Sequence, residues 1–416
     1  MSEHEHLHPP KHGPPGHTPD EHDPDEHGGR VRERAAFLGR KPEELLDFSA
    51  NVNFLGPTLP VVAAARRAID EMAWYPQDPP TLLRRAAAAY LRVPEDGVLM
   101  GNGASELISL VVASLRPERV LTVEPTFAEY ARTARAWGAE VDRIETPEDD
   151  NFALTPQSVR NPGVAERIRR ADLVCLCDPN NPTGGLIDRE VRTEIIRLAE
   201  DAGTWVLVDE SFLGFTQVWP EGSAIPLGSE RVMVVHSLTK ILALPGLRVG
   251  AAILPQTAAE PFRRRLPPWN VNCVAQAAAL AALSDEEMLA QTPRKTEQRR
   301  KELTEGLEAL PLVEAVLPGE ANFLCLRLAE TAVQAGGHPT RIDAERVADL
   351  LLRRHGVLVR DLSQFPGMGS FYIRVAVKDH EENERLLSAF GQISTELTAP
   401  VSPAGTCEGM RKGDAS

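Results

Sequence analysis

The chain has 416 residues, of which 42% are hydrophobic and 25% charged, enough for two domains with substantial cores and ordinary for a globular protein in water. A formal net charge of −15 argues against nucleic acid or an anionic membrane surface as the main partner. No apolar run reaches membrane-span length and the N-terminus has no apolar signal core, which points to the cytoplasm.

In chain order, residues 1–29, MSEHEHLHPPKHGPPGHTPDEHDPDEHGG, hold seven acids and a single Lys11 among prolines, glycines and alternating histidines. That composition predicts a disordered tail over 1–26. Its histidines have no recurring ligand spacing, so a solvated segment is a better reading than a metal site. From residue 97, short β-rich runs alternate with amphipathic stretches. GVLM (97–100) leads into a helix over ASELISLVVASL (104–115), RVLTVEP (119–125) into FAEYARTARAWG (127–138), and ADLVCLCDP (171–179) into REVRTEIIRLAEDAG (189–203). TWVLVDES (204–211), RVMVVHS (231–237) and LRVGAAIL (247–254) follow. Apolar strands alternating with helices predict an α/β fold with a mainly parallel sheet covered on both faces. Such sheets bind ligands at the carboxyl ends of their strands.

Further on, ERVADLLLRRHGVLVRDLS (345–363) and SFYIRVAVKDHEENERLLSAF (370–390) read as helix, strand, strand, helix, a smaller α+β domain. The last stretch, 396–416, reads as a second tail. Five cysteines (Cys175, Cys177, Cys273, Cys325, Cys407) are too scattered for a disulfide framework, and Cys175 and Cys177, two apart in an apolar run, read as same-face core residues of a strand.

The polar residues collect at strand ends. GNGAS (101–105) closes one strand and opens a helix, so the amides of Gly103, Ala104 and Ser105 can converge on an anion. DPNNPTGG (178–185) is a rigid turn that holds Asn180 and Asn181 outward, VDES (208–211) ends a strand in Asp209, and HSLTK (236–240) ends another in Ser237 and Lys240. Lys240 and Arg248 lie in HSLTKILALPGLRVG, which contains no carboxylate, so another part of the chain or a bound anion must neutralise them. A lysine, an acid, an asparagine and a phosphate cup are the groups that pyridoxal 5'-phosphate requires: an amine for its aldehyde, a carboxylate for its ring nitrogen, a donor for its 3'-oxygen and amides for its phosphate.

The order GAS, NNPTG, DE, SLTK, GLRVG resembles the fold type I, class I/II aminotransferase superfamily of pyridoxal-phosphate enzymes over nearly all of residues 27–395. The resemblance implies a large cofactor-binding domain over 51–295 with a mainly parallel seven-stranded sheet. It further implies a small C-terminal domain over 296–395, a segment 27–50 packing with the small domain, and a homodimer. It implies Lys240 as the lysine that forms the Schiff base, Asp209 as partner of the ring nitrogen, and Asn181 as donor to the 3'-oxygen. Gly103, Ala104, Ser105, Ser237 and Arg248 would hold the cofactor phosphate, Phe127 would stack on the ring, and Tyr75 would reach the phosphate from the partner subunit. HGG (27–29) followed by LDFSANVNFLGP (46–57) resembles the threonine-phosphate decarboxylases, which make aminopropanol phosphate for cobalamin assembly, with histidinol-phosphate aminotransferases as the neighbouring family. That match implies a small phosphorylated amino-acid substrate held by His27, Gly28, Asn51, Asn181, Arg360 and Arg374. Phe212 stands where the aminotransferases of that neighbouring family carry a tyrosine, which favours the decarboxylase. A non-catalytic regulator of the same superfamily would need a DNA-binding module, and the segment before His27 is too short and polar to be one.

Overall fold

The computed structural model describes residues 28–398 apart from 226–227, 331, 336–337 and 342. His27, Cys407, residues 1–26 and residues 399–416 lie outside the described residues. The large sheet is built from β1 (Val98–Gly101), β2 (Arg119–Glu124), β3 (Glu140–Glu145), β4 (Leu173–Cys177), β5 (Trp205–Asp209), β6 (Val232–His236) and β7 (Gly250–Ile253). Its seven strands run in the order β1-β7-β6-β5-β4-β2-β3. Strand β7 is antiparallel to both neighbours and every other pairing is parallel. The expected α/β architecture with a mainly parallel seven-stranded sheet is therefore present.

Side chains along a strand alternate faces, and both faces of this sheet are covered. Val174 and Leu176 of β4 join a core with Ile195 of helix α2 (Arg189–Ala202), while Leu173, Cys175 and Cys177 face Leu107, Ile108 and Val111 of helix α1 (Ala104–Leu115). The two cysteines do share a face, as buried free thiols. Helix α2 begins where Asp188 accepts hydrogen bonds from the amides of Glu190 and Val191, which satisfies donors that the helix itself leaves open. Strand β3 has no counterpart in the sequence pattern. It is an edge strand, EVDRIE, in which Ile144 alone is buried, so no apolar run announces it.

The second sheet is antiparallel, in the order β10-β11-β9-β8, with β8 (Val313–Val316), β9 (Phe323–Leu328), β10 (Arg360–Asp361) and β11 (Tyr372–Ala376). Leu324, Leu326, Ile373 and Val375 pack with Val347 and Leu351 of helix α4 (Ala344–His355) and with Leu386 and Phe390 of helix α5 (His380–Thr398). Phe48 joins this second core, and Leu46–Asp47 pairs in parallel with Val357–Leu358, which lays the N-terminal segment along the smaller sheet. Helix α3 (Glu286–Glu308) runs unbroken across residue 295 and contributes Leu303 and Leu307 to the second core. Among the described residues no helix is long and apolar enough to cross a membrane.

Candidate active site

The carboxyl ends of β4, β5 and β6, the start of α1 and the inner edge of the smaller sheet enclose a cavity of about 390 Å³. It is lined by Gly28, Asn51, Ala104, Ser105, Phe127, Asn181, Asp209, Ser237, Lys240, Arg248, Arg360 and Arg374, residues scattered over nearly the whole described chain. Two of the expected residues are not in that lining. Gly103 lies just behind it as the residue preceding α1, and Tyr75 is on the surface, its ring stacked on Trp269 at 4.4 Å. His27 falls outside the described residues.

Local chemistry explains how each wall is held. Gly103 has φ +83, and a Cβ there would stand 2.6 Å from Arg248 Nη2, so glycine lets the guanidinium close on the first turn of α1. Arg248 also donates to Pro245 O at 3.2 Å. Ser237 N donates to Ser211 Oγ at 2.8 Å, and the hydroxyls of Ser237 and Thr239 are 2.6 Å apart. In the turn after β4, Asn180 Nδ2 donates to Pro125 O at 2.9 Å and to Thr183 Oγ1 at 3.0 Å, while the Gly184 amide donates to Asn180 O at 2.7 Å. That turn presents Asn181, whose Oδ1 accepts from Arg374 Nη1, leaving its amide nitrogen as the donor side. Gly28 sits so close to the neighbouring backbone that a Cβ would fall 2.2 Å from Ser49 O. Arg374 Nη2 donates to that same oxygen at 2.8 Å.

The electrostatics are those of a site that expects company. Burial, followed by the charges of Arg374 and Arg248, pushes the Lys240 amine down to about 8. Burial and then the Arg360 charge push Arg374 down to about 9. Asp209 is displaced upward by burial, although it accepts hydrogen bonds from Tyr130 Oη at 2.8 Å and Ser211 N at 3.0 Å. Asn51 Oδ1 and Arg374 Nε are buried without a hydrogen-bond partner.

Pyridoxal 5'-phosphate fits this chemistry. A lysine held easily deprotonated suits condensation with an aldehyde, and a buried carboxylate braced by a hydroxyl and an amide suits a ring cation. A helix N-terminus closed by a glycine and an arginine suits a phosphate. Tyr130 and Ser211, which brace Asp209, are absent from the sequence reading. The one available signal for Tyr130 is its position three residues after Phe127 at the start of a helix, where its ring meets that of Phe127 edge-on at 5.6 Å.

The aminotransferase class I and II family model matches residues 43–390, and the chain belongs to that family, whose enzymes work through pyridoxal 5'-phosphate. Within it, the chain is similar to threonine-phosphate decarboxylase of Salmonella typhimurium, 36% identical over 375 residues that cover 89% of this chain and 97% of the relative. It is also similar to histidinol-phosphate aminotransferase of Methanothermobacter thermautotrophicus, 31% identical over 369 residues covering 88% and 93%. Among solved structures it resembles the histidinol-phosphate aminotransferase of Clostridium acetobutylicum, with a TM-score of 0.75, 28% identity, and coverage of 85% of this chain and 100% of that one.

Proposed function

We propose that this enzyme decarboxylates L-threonine O-3-phosphate to (R)-1-aminopropan-2-yl phosphate, the reaction that supplies aminopropanol phosphate for cobalamin assembly. The observation that carries the reading is the juxtaposition of Arg360 and Arg374. They are direct cross-strand partners on β10 and β11, and both line the cavity that holds Lys240. Like charges directly opposite in a sheet destabilise it. A substrate with a phosphate dianion and a carboxylate offsets that repulsion more fully than histidinol phosphate, which has no carboxylate.

The greater similarity to the decarboxylase than to the aminotransferase, 36% against 31%, points the same way. So does Phe212, a cavity-lining ring in place of a phenol. Pyridoxal phosphate supplies the electron sink for whichever Cα bond breaks, and the protein's own part is orientation. Arg360 and Arg374 would fix the two anionic ends of the substrate, Asn181 would donate to the cofactor's 3'-oxygen, Phe127 would stack on its ring, and Lys240 would supply the amine for its aldehyde. Lys240, Asp209, Ala104, Ser105, Ser237 and Arg248 would hold the cofactor.

A homodimer completes the reading. Met72, Trp74, Tyr75 and Trp269 are exposed, the Tyr75 ring stacks on that of Trp269, and Gln276 Nε2 donates to Gln77 O at 3.0 Å, which ties the two segments together. A second copy covering these residues would bring Tyr75 toward the partner's cofactor phosphate. The test of function is direct. Purified protein given O-phospho-L-threonine should release carbon dioxide with no keto-acid acceptor. Consumption of histidinol phosphate and 2-oxoglutarate in equal amounts, with O-phospho-L-threonine inert, would replace this reading with the aminotransferase.

A further inference from the structure

Arg374 is a buried cation with fewer acceptors than donors. Nη1 donates to Asn181 Oδ1 and Nη2 to Ser49 O, both neutral oxygens, while Nε has no hydrogen-bond partner. No carboxylate pairs with it in the described structure, and its cross-strand neighbour is another arginine. What does face it is a ring: the guanidinium carbon lies over Phe323, 5.3 Å from the centroid. Phe323 is wholly buried at the start of β9, and its own ring is met edge-on by Phe212, with centroids 5.0 Å apart and planes at 82°. Gly184, in the turn that presents Asn181, lies on another side, where a Cβ would sit 3.6 Å from Phe323 Cε2. The chain of contacts therefore runs from the large-sheet body (Phe212) through Phe323 to an arginine of the smaller sheet.

We propose that Phe323, buttressed by Phe212, is a positioning residue for Arg374: its ring face stabilises the desolvated guanidinium and aims it so that the remaining donors meet the substrate carboxylate. A ring quadrupole attracts a cation most strongly where water is excluded, and an arginine stacked on a ring loses little further freedom when it binds a planar carboxylate. On this account Phe212 has a role of its own as a buttress, beyond the missing phenol. The inference rests on the proposed role of Arg374 in holding the substrate's anionic group.

The test uses the cofactor-loaded enzyme and two ligands, O-phospho-L-threonine and the unreactive carboxylate propionate, whose binding is followed by its perturbation of the cofactor absorbance. Phe323→Leu keeps an apolar side chain but removes the ring. It should raise KM for O-phospho-L-threonine and Kd for propionate by about tenfold while kcat changes by less than about threefold. Phe212→Leu, which also lacks a phenol, should raise both constants by a smaller factor. Because Phe323→Leu can loosen a buried core, the deciding measurement is a double-mutant cycle with Arg374→Lys. If Phe323 acts through the guanidinium, adding Phe323→Leu to Arg374→Lys costs less than about twofold further in propionate Kd, whereas multiplying losses mean a merely structural ring and overturn the proposal. Unchanged propionate binding in Phe323→Leu overturns it as well. Inert O-phospho-L-threonine, with propionate binding that still follows the cycle, leaves the positioning role standing and removes only the decarboxylase assignment.

Discussion

At the residue scale the groups proposed to engage the cofactor are Lys240 and the braced carboxylate of Asp209. An exposed lysine amine is mostly charged up to pH near 10.5, and a charged amine cannot attack an aldehyde. Burial and two arginines lower Lys240 to about 8, so the rate at which protein stripped of cofactor takes it up covalently should rise with pH through about 8 and then level. Stopped-flow absorbance across pH 6–10 reads this, and a midpoint near 10.5 would contradict the geometry. The sign for stability follows too. The unfolded chain holds this proton up to higher pH than the folded one, so the Lys240 contribution to apo-protein stability improves as pH rises from about 8 toward 10.5. Tyr130 is the complementary case: its hydroxyl, itself pushed far upward by burial, donates to Asp209. Tyr130→Phe should weaken cofactor retention by roughly tenfold, the worth of one hydrogen bond to a charged group, measurable by dialysis and absorbance. None of this bracing was legible in the linear order, because Tyr130 and Asp209 meet only when the start of one helix is laid beside the end of another strand.

At the scale of elements, the turn after β4 is anchored by a buried ion pair. Asp178 Oδ2 accepts from Arg192 Nη1 of α2 at 2.7 Å, while Asp178 Oδ1 accepts from Ile187 N at 2.9 Å. Burial raises Asp178 to about 6 even with the guanidinium beside it. Removing one partner of such a pair strands the other charge away from water. Arg192→Ala should therefore cost about 3–5 kcal/mol at neutral pH by denaturant titration, with a smaller loss below pH 6, where Asp178 becomes neutral. The turn that carries Asn181 would loosen with it. The strands that bear this turn and its neighbours were readable because they are short, apolar on both faces and followed by helical periodicity. Strand β3 was not, since an edge strand with one buried residue looks like any polar segment.

At the scale of the whole molecule, the exposed face of Met72, Trp74, Tyr75 and Trp269 is where a second copy is expected. If the proposed dimer forms through this face, Trp269→Glu should shift the protein from dimer toward monomer by light scattering and lower cofactor retention at the same time, since the proposed reach of Tyr75 to the partner's phosphate site would be lost. A variant that stays dimeric and keeps its cofactor would place the interface elsewhere.

The sequence by itself determined the alternation of strands and helices, the polar residues at their carboxyl ends and, through the order of its motifs, the family and the cofactor. The first two follow from local periodicity and from the chemistry of single residues, and the last two from the resemblance that the motif order carries. The tertiary structure decided what depends on neighbours distant in the chain. It set Arg360 opposite Arg374, placed the Phe323 ring under Arg374, put Tyr130 on Asp209, and lowered the proton affinity of Lys240. Charge repulsion, desolvation and ring contacts are properties of the folded surroundings, and no spacing along the chain encodes them.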